Sequence, residues 1–214
     1  MIPNFLKSDR CLLTKNLNPG KTEFSEKLKT VNGDEYREWD PKRSKLAAAI
    51  VKGIRDIPLK EDSVVLYLGA SHGYTPSFMS DICAKGKIFA LDFAPRVVRD
   101  LVYLCENRKN ICPILGNANH PETYFHKTTM VDIVYMDIAQ KNQAEIFLKN
   151  IRMFLKKGGI AMIAVKARCI DVAEKPDTIF RNFRNDIEGE LRVIDSKPLS
   201  PLERDHMFFI VERK

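Results

Sequence analysis

The stretch from Val64 to Arg96, VVLYLGASHGYTPSFMSDICAKGKIFALDFAPR, constrains the fold more than any other part of the chain. An apolar strand runs into a glycine turn, a helix follows, and a second apolar strand ends on Asp92. This is the order of a strand–helix–strand unit whose strands lie parallel in one sheet. Gly69 and Gly73 would let backbone approach a ligand that a Cβ excludes, and their turn delivers the chain to a helix N-terminus. Asp92 follows Gly73 by 19 residues, near the spacing at which an acid accepts hydrogen bonds from ribose hydroxyls. The turn itself, Gly69-Ala70-Ser71-His72-Gly73, lacks the G-x-G-x-x-G of a dinucleotide site. That disfavours a nicotinamide-dependent oxidoreductase and favours a nucleoside without a pyrophosphate, such as S-adenosylmethionine.

The same alternation continues. Strands are expected at Val64 to Leu68, Ile88 to Asp92, Ile111 to Leu115, Val131 to Asp137 and Gly159 to Val165. Helices are expected at Thr75 to Cys83, Pro95 to Asn107 and Gln143 to Leu155, the last ending at Gly158-Gly159. After a helix around Pro176 to Glu188, two strands, Leu191 to Lys197 and His206 to Glu212, are joined by a proline-bearing turn too short for a crossover helix. They should therefore pair antiparallel. The expected fold is α/β: a seven-stranded, doubly wound, Rossmann-like methyltransferase sheet whose last strand is antiparallel. A small N-terminal β module precedes it, with residues 1–42 as the module and 43–214 as the S-adenosylmethionine-dependent domain. In the module, Asn32-Gly33 is a hairpin signal, and Pro41 to Ile54 should form a helix that bridges to the main domain.

Composition narrows the function class. No apolar run approaches a membrane span and the N-terminus has no signal-peptide core, which points to an intracellular protein without a membrane partner. Five scattered cysteines with no C-x-x-C pair argue against a disulfide framework and a zinc site, and no structural metal is expected. The net charge of +7 is uneven: residues 1–60 carry 13 Lys+Arg against 8 Asp+Glu, residues 61–214 carry 22 against 20. A moderately basic N-terminal quarter suits a polyanion as well as it suits simple solubility. The cluster Lys42, Arg43 and Lys45 could touch RNA phosphates, with a solvated helix start nearly as good a reading for Lys42 and Arg43.

Ligands of such sheets sit over the carboxyl ends of the strands. The fourth strand ends in Asp137-Ile138-Ala139-Gln140 and the fifth in Lys166-Ala167-Arg168, and the last begins at Asp205-His206. Because the last strand runs in reverse, its start lies at the edge where the others end. Asp137, Lys166 and His206 can then converge. A lysine there, after the apolar run Ile160 to Val165, would be partly desolvated, and a neutral amine at that place could accept a proton.

The strings WDPKRSKLAAAI, VLYLGASHGYTPSFMSDI, ILGNANHPETY, VYMDIAQKNQAEI, FLKKGG, AVKARCIDV and ERDHMFF resemble the fibrillarin family in its archaeal form, from about Leu13 to Glu212. The resemblance implies an RNA ribose 2′-O-methyltransferase that uses S-adenosylmethionine. It would act on rRNA and tRNA inside a box C/D guide ribonucleoprotein, with a Nop-family scaffold, a kink-turn-binding protein related to ribosomal proteins, and a guide RNA. Carried over by motif, the family's catalytic Lys-Asp-Lys-His set falls on Lys45, Asp137, Lys166 and His206. The cofactor positions fall on Tyr74 and Thr75 after the glycine turn, Asp92 and Phe93, Asn117 and Ala118, and Asp137, Ile138, Ala139 and Gln140, beside Gly69 and Gly73. Asp92 stands where the family usually has Glu, and Asn117 where it usually has Asp. Tyr74 and His72 stand where small residues are typical, a change that could reshape the cofactor pocket. The absence of a Gly/Arg-rich N-terminal extension suggests an archaeal-type cytoplasmic protein; a eukaryotic relative would be nucleolar. Two other readings remain open: a non-catalytic structural subunit of the same particle, and a protein (glutamine) methyltransferase.

Overall fold

The computed structural model describes residues 2–8 and 11–214. Near the N-terminus, β1 (Phe5–Lys7), β2 (Leu12–Lys15), β3 (Leu28–Val31) and β4 (Asp34–Trp39) form an antiparallel sheet in the order β1-β2-β4-β3. Its hairpin turns at Asn32-Gly33 with φ of 52° and 86°, the left-handed pair that lets two strands reverse with the native twist. Strand β1, three residues with no alternating pattern, was not expected from the sequence.

Helix α1 (Lys45–Val51) begins later than the expected Pro41. The Asp40 carboxylate accepts the Lys42 N–H at 2.8 Å and turns the chain, and Ser44 caps the helix by accepting the Ala47 N–H. The remaining elements are β5 (Val64–Leu68), α2 (Tyr74–Ile82), β6 (Lys87–Asp92), α3 (Pro95–Asn107), β7 (Ile111–Leu115), β8 (Val131–Met136), α4 (Gln143–Phe154), β9 (Leu155–Lys166), α5 (Ala167–Ile170), α6 (Pro176–Glu188), β10 (Leu191–Pro198) and β11 (His206–Arg213). Two single 3-10 turns lie between β7 and β8. The seven strands order as β10-β11-β9-β8-β5-β6-β7, with β11 antiparallel to both neighbours. The expected sheet is therefore observed. Helix α4, however, stops at Phe154 rather than at the glycine pair. Leu155 already pairs with Val131, and Gly158, at φ 69°, lies in an irregularity before Ile160 pairs with Ile133.

Central strands β5 and β8 are buried on both faces, so they read as nearly unbroken apolar runs. One face packs on α1, α2 and α3, the other on α4 and α6. The N-terminal sheet docks on α2 through the stacked rings of Trp39 and Phe78, 5.2 Å between centroids. Beside them is a buried ionic cluster. Asp81 of α2 receives Arg37 of β4 at 2.8 Å and Arg108 at 2.7 Å, while Thr14 donates to the same carboxylate at 2.7 Å; both guanidiniums are fully buried. Glu26 also pairs with Arg37 at 2.5 Å and Glu23 lies 3.5 Å from Arg108, so each buried guanidinium faces two carboxylates, although Arg108 Nε and Nη2 make no hydrogen bond among the described residues.

Candidate active site

Strands β5, β6, β7, β8 and β9 all deliver their carboxyl ends to one side of the sheet, and the loops that follow them enclose a cavity of about 270 Å³. Gly69 and Ser71 form one wall, Leu91, Asp92 and Phe93 another, and Gly116 to Asn119 a third. Asp137 to Gln140 and Lys166 close it toward β9. Gly69 has φ 83°, and a Cβ there would meet the Asp137 carbonyl oxygen at 2.4 Å. Only glycine lets the first turn and the loop after β8 lie this close.

The walls differ in chemistry. Asp92 is nearly buried; its Oδ2 accepts the Ser71 N–H at 2.9 Å and its Oδ1 the Ala94 N–H at 3.1 Å. Each oxygen keeps a lone pair for a hydroxyl, so the carboxylate is fixed where a diol would meet it. Phe93, next along, is 67% exposed and with Leu91 and Ala118 offers an apolar surface to a flat ring. Asn117 spends part of its amide oxygen on its own turn, accepting the Asn119 N–H at 3.0 Å.

At the other end of the cavity stands a charge cluster. Asp137, which extends β8 by donating its N–H to the Leu68 carbonyl, is paired through Oδ1 to Lys166 at 2.9 Å and through Oδ2 to Lys45 at 3.3 Å. Lys45 opens α1, whose start is fixed to α2 by the Thr75 hydroxyl, a donor to Ser44 Oγ at 2.9 Å. His206 lies directly opposite Lys166 in the β9–β11 pair. The neighbouring Ala167 N–H donates to Asp205, so His206 and Lys166 occupy a non-hydrogen-bonded position, where side chains come closest. The His206 Nδ1 is bonded to the Arg204 carbonyl, which makes Nδ1 the donor and leaves Nε2 free. Burial lowers its pKa, and the Lys45 and Lys166 charges push the same way against the Arg204 carbonyl and Glu203, which raise it. Beneath the cluster Tyr67 and Tyr135 stack at 4.4 Å. Burial, with the Asp137 charge adding to it, holds both phenols well above their ordinary pKa.

Of the residues named from the sequence, Gly69, Asp92, Phe93, Asn117, Ala118 and Asp137 to Gln140 line the cavity, and Lys45, Asp137, Lys166 and His206 gather at its mouth. His72, Gly73, Tyr74 and Thr75 are placed otherwise. A Cβ on Gly73 would strike Leu104 and Leu101 of α3, so that glycine serves helix packing rather than ligand approach. Tyr74 turns toward the N-terminal sheet: its hydroxyl accepts the Asp40 N–H at 3.2 Å, and its ring packs on Phe24, Phe78 and the Arg43 guanidinium. Thr75 acts on α1. His72 is exposed and bonded to Asp100 at 3.0 Å. The two bulky residues expected to reshape the pocket therefore carry their side chains away from it, and Arg43 covers the Tyr74 ring.

Ser71, Leu91, Gly116, Asn119 and Ile146 also line the cavity and were not anticipated. Glu203, 3.7 Å from Lys45, was not anticipated either. Its place in ERDHMFF, three residues before His206, was the available signal. Among the described residues no cluster of three or more His, Cys, Asp or Glu could hold a metal, and no helix is long and apolar enough to cross a membrane.

An apolar wall for a purine, a fixed acid for a diol, and a second carboxylate between two lysines suit the adenosyl and amino-acid parts of S-adenosylmethionine. The fibrillarin family model matches residues 2–214. The chain is 48% identical over 200 residues to the fibrillarin-like rRNA/tRNA 2′-O-methyltransferase of Methanocaldococcus jannaschii, covering 93% of this chain and 87% of that protein. The structure of Aeropyrum pernix fibrillarin with natively bound S-adenosyl-L-methionine superposes with a TM-score of 0.88 at 42% identity, over 97% of this chain and 92% of that one. The structure of a fibrillarin/Nop5p complex matches with a TM-score of 0.91 at 39% identity, over 100% and 99%. With the fold, the cavity and near-complete coverage in agreement, this chain belongs to the fibrillarin family.

Proposed function

We propose that this chain is the catalytic subunit of a box C/D guide ribonucleoprotein, transferring a methyl group from S-adenosylmethionine to ribose 2′-oxygens of rRNA and tRNA. One observation carries the reading: Asp137 lines the cavity and is at the same time ion-paired to Lys166 and Lys45 at its mouth. A single carboxylate thus joins the cofactor side to the acceptor side. When bound, S-adenosylmethionine supplies an electrophilic methyl carbon on a sulfonium. The protein's task is then to hold a 2′-hydroxyl in line with it and ease loss of the hydroxyl proton. Asp92 holds the ribose diol, and Phe93, Leu91 and Ala118 cover the purine. Lys166 Nζ, an ammonium held by Asp137, faces the acceptor oxygen and stabilises the negative charge that develops there as the hydroxyl proton passes to water. Lys45 Nζ donates to the ribose oxygen or the neighbouring phosphate, and His206 Nε2 accepts from the acceptor hydroxyl.

The reading places the chain on a Nop-family scaffold, as in the fibrillarin/Nop5p complex, with a kink-turn-binding protein and a guide RNA that selects the target by base pairing. It also implies a cytoplasmic setting, which cell fractionation would check. A structural subunit without activity would find its support in the departures from the family's usual residues at Tyr74 and Asn117. With Tyr74 turned to Asp40 and Phe24, its support is reduced to one amide.

The experiment is transfer of labelled methyl to a guide-matched RNA in the assembled particle, comparing a normal target with one carrying 2′-deoxyribose at the selected nucleotide. Label on the first alone is the expected result. Label on neither, with the particle assembled, favours the structural subunit; label on protein favours the protein methyltransferase.

A further inference from the structure

Gln143 is the first residue of α4 and 1% exposed. Its side-chain amide makes three hydrogen bonds. Nε2 donates to the Gln140 carbonyl at 2.9 Å and to the Lys166 carbonyl at 3.1 Å, and Oε1 accepts the Lys166 N–H at 3.0 Å. The sheet explains why Lys166 needs them. On the β8 side, pairing of β9 ends at Ile163 opposite Met136. On the β11 side, Lys166 sits at the non-hydrogen-bonded position opposite His206, so its peptide groups point away from β11. Without a neighbour, both would be left unmatched at the edge of the cavity. The Gln143 amide fills the place that one more β8 peptide would have taken, and its second donor bond reaches the loop that lines the cavity.

We propose that Gln143 is a positioning residue for methyl transfer: it locks the backbone of Lys166 and the 137–140 loop into one frame. The inference rests on the methyl-transfer reading with Lys166 at the acceptor. Lys166 Nζ has four side-chain torsions between it and the backbone, so the Asp137 ion pair alone fixes only its far end. Gln143 fixes the near end, and the same amide reports the position of the cofactor loop to the lysine.

The test is Gln143→Met, which keeps length and apolar bulk and removes the amide, assayed by single-turnover transfer in the assembled particle alongside equilibrium binding of S-adenosylmethionine. Loss of alignment at the acceptor is expected to lower the rate at saturating cofactor on the order of tenfold or more, with weaker cofactor binding. Thr14→Val serves as the control: it forfeits a buried hydrogen bond to Asp81 outside the cavity and should lose stability with an unchanged rate at a temperature where both variants are folded. A wild-type rate in folded Gln143→Met overturns the proposal, as does an equal loss of rate in Thr14→Val. Should Gln143→Met fail to fold, amide exchange in the wild-type chain decides. S-adenosylhomocysteine must slow exchange of the Lys166 amide along with those of the 137–140 loop, and exchange at Lys166 that ignores the ligand overturns the proposal. If the wild-type particle itself transfers no methyl group, the methyl-transfer reading fails; if it transfers and Gln143→Met matches it, only the role of Gln143 falls.

Discussion

Lys166 Nζ sits 2.9 Å from Oδ1 of Asp137, and the other oxygen of that carboxylate faces Lys45. Asp137→Asn keeps the shape of the side chain and removes the charge that holds two ammonium groups in one small space. Transfer in the assembled particle is expected to fall by roughly 100-fold or more, because acceptor and cofactor lose their common anchor. Stability should fall by about 1–3 kcal/mol, since the two ammonium groups, each only 18% exposed, lose their shared counter-charge but can still turn toward water at the mouth. Single-turnover rates and thermal unfolding on the same preparation check both halves, and a wild-type rate removes Asp137 from the machinery.

Asp81 presents the opposite case. It is buried between two fully buried guanidiniums, with no route to solvent for any of the three. Asp81→Asn leaves Arg37 its buried Glu26 partner but takes from Arg108 its nearest counter-charge, with Glu23 only at 3.5 Å, and should cost about 3–5 kcal/mol, read as a lowered denaturant midpoint. Because Arg37 belongs to the N-terminal sheet and Arg108 follows α3, undocking of that sheet should accompany the loss, visible as a change in Trp39 fluorescence.

The strands and the edge at which they end could be read from apolar runs, and that edge by itself picked out Asp92, Asp137, Lys166 and His206. The catalytic place of Lys45 came only from resemblance, since nothing in RSKLAAAI separates a catalytic lysine from a solvated or phosphate-binding one. What could not be read depends on approach in three dimensions. The Arg37–Asp81 and Arg108–Asp81 pairs span 44 and 27 residues, and an arginine in a strand pattern gives no sign that it will be buried. Gln143 likewise reads as an ordinary first-turn helix residue until β9 is seen to outrun β8. The glycine turn misled in one respect. Gly69 and Gly73 look equivalent in sequence, yet one meets the cavity loop and the other meets α3.

That difference is testable. Gly69→Ala drives a Cβ to 2.4 Å from backbone, the Asp137 carbonyl, and must displace the cavity loop. Gly73→Ala drives one to 2.4 Å from Leu104 Cδ2, the end of a side chain. Both force alanine into a left-handed conformation at about 1–2 kcal/mol. Gly69→Ala is expected to abolish measurable binding of S-adenosylmethionine. Gly73→Ala should chiefly lower the melting temperature, and adding Leu104→Ala to make room should recover part of the loss.

His206 gives the chain a pH dependence whose sign can be worked out. Burial, with Lys45 and Lys166 alongside, lowers its pKa below the ordinary 6.5. On acidification the unfolded chain therefore takes up a proton at this position before the folded chain does. Stability from this residue is complete above pH 6.5, declines as pH drops toward the lowered folded value, and levels off below it. His206→Gln should flatten that segment of the acid limb when denaturant midpoints are compared on either side of pH 6.5. In the wild-type protein the ring resonances should titrate with a midpoint below 6.5. At neutral pH the ring is uncharged, with its Nδ1 proton on Arg204, and Nε2 can only accept. Acid converts Nε2 to a donor beside two lysines, so the rate of methyl transfer should fall with the same midpoint as the ring. A rate that stays flat through that midpoint would show that the Nε2 lone pair takes no part in holding the acceptor.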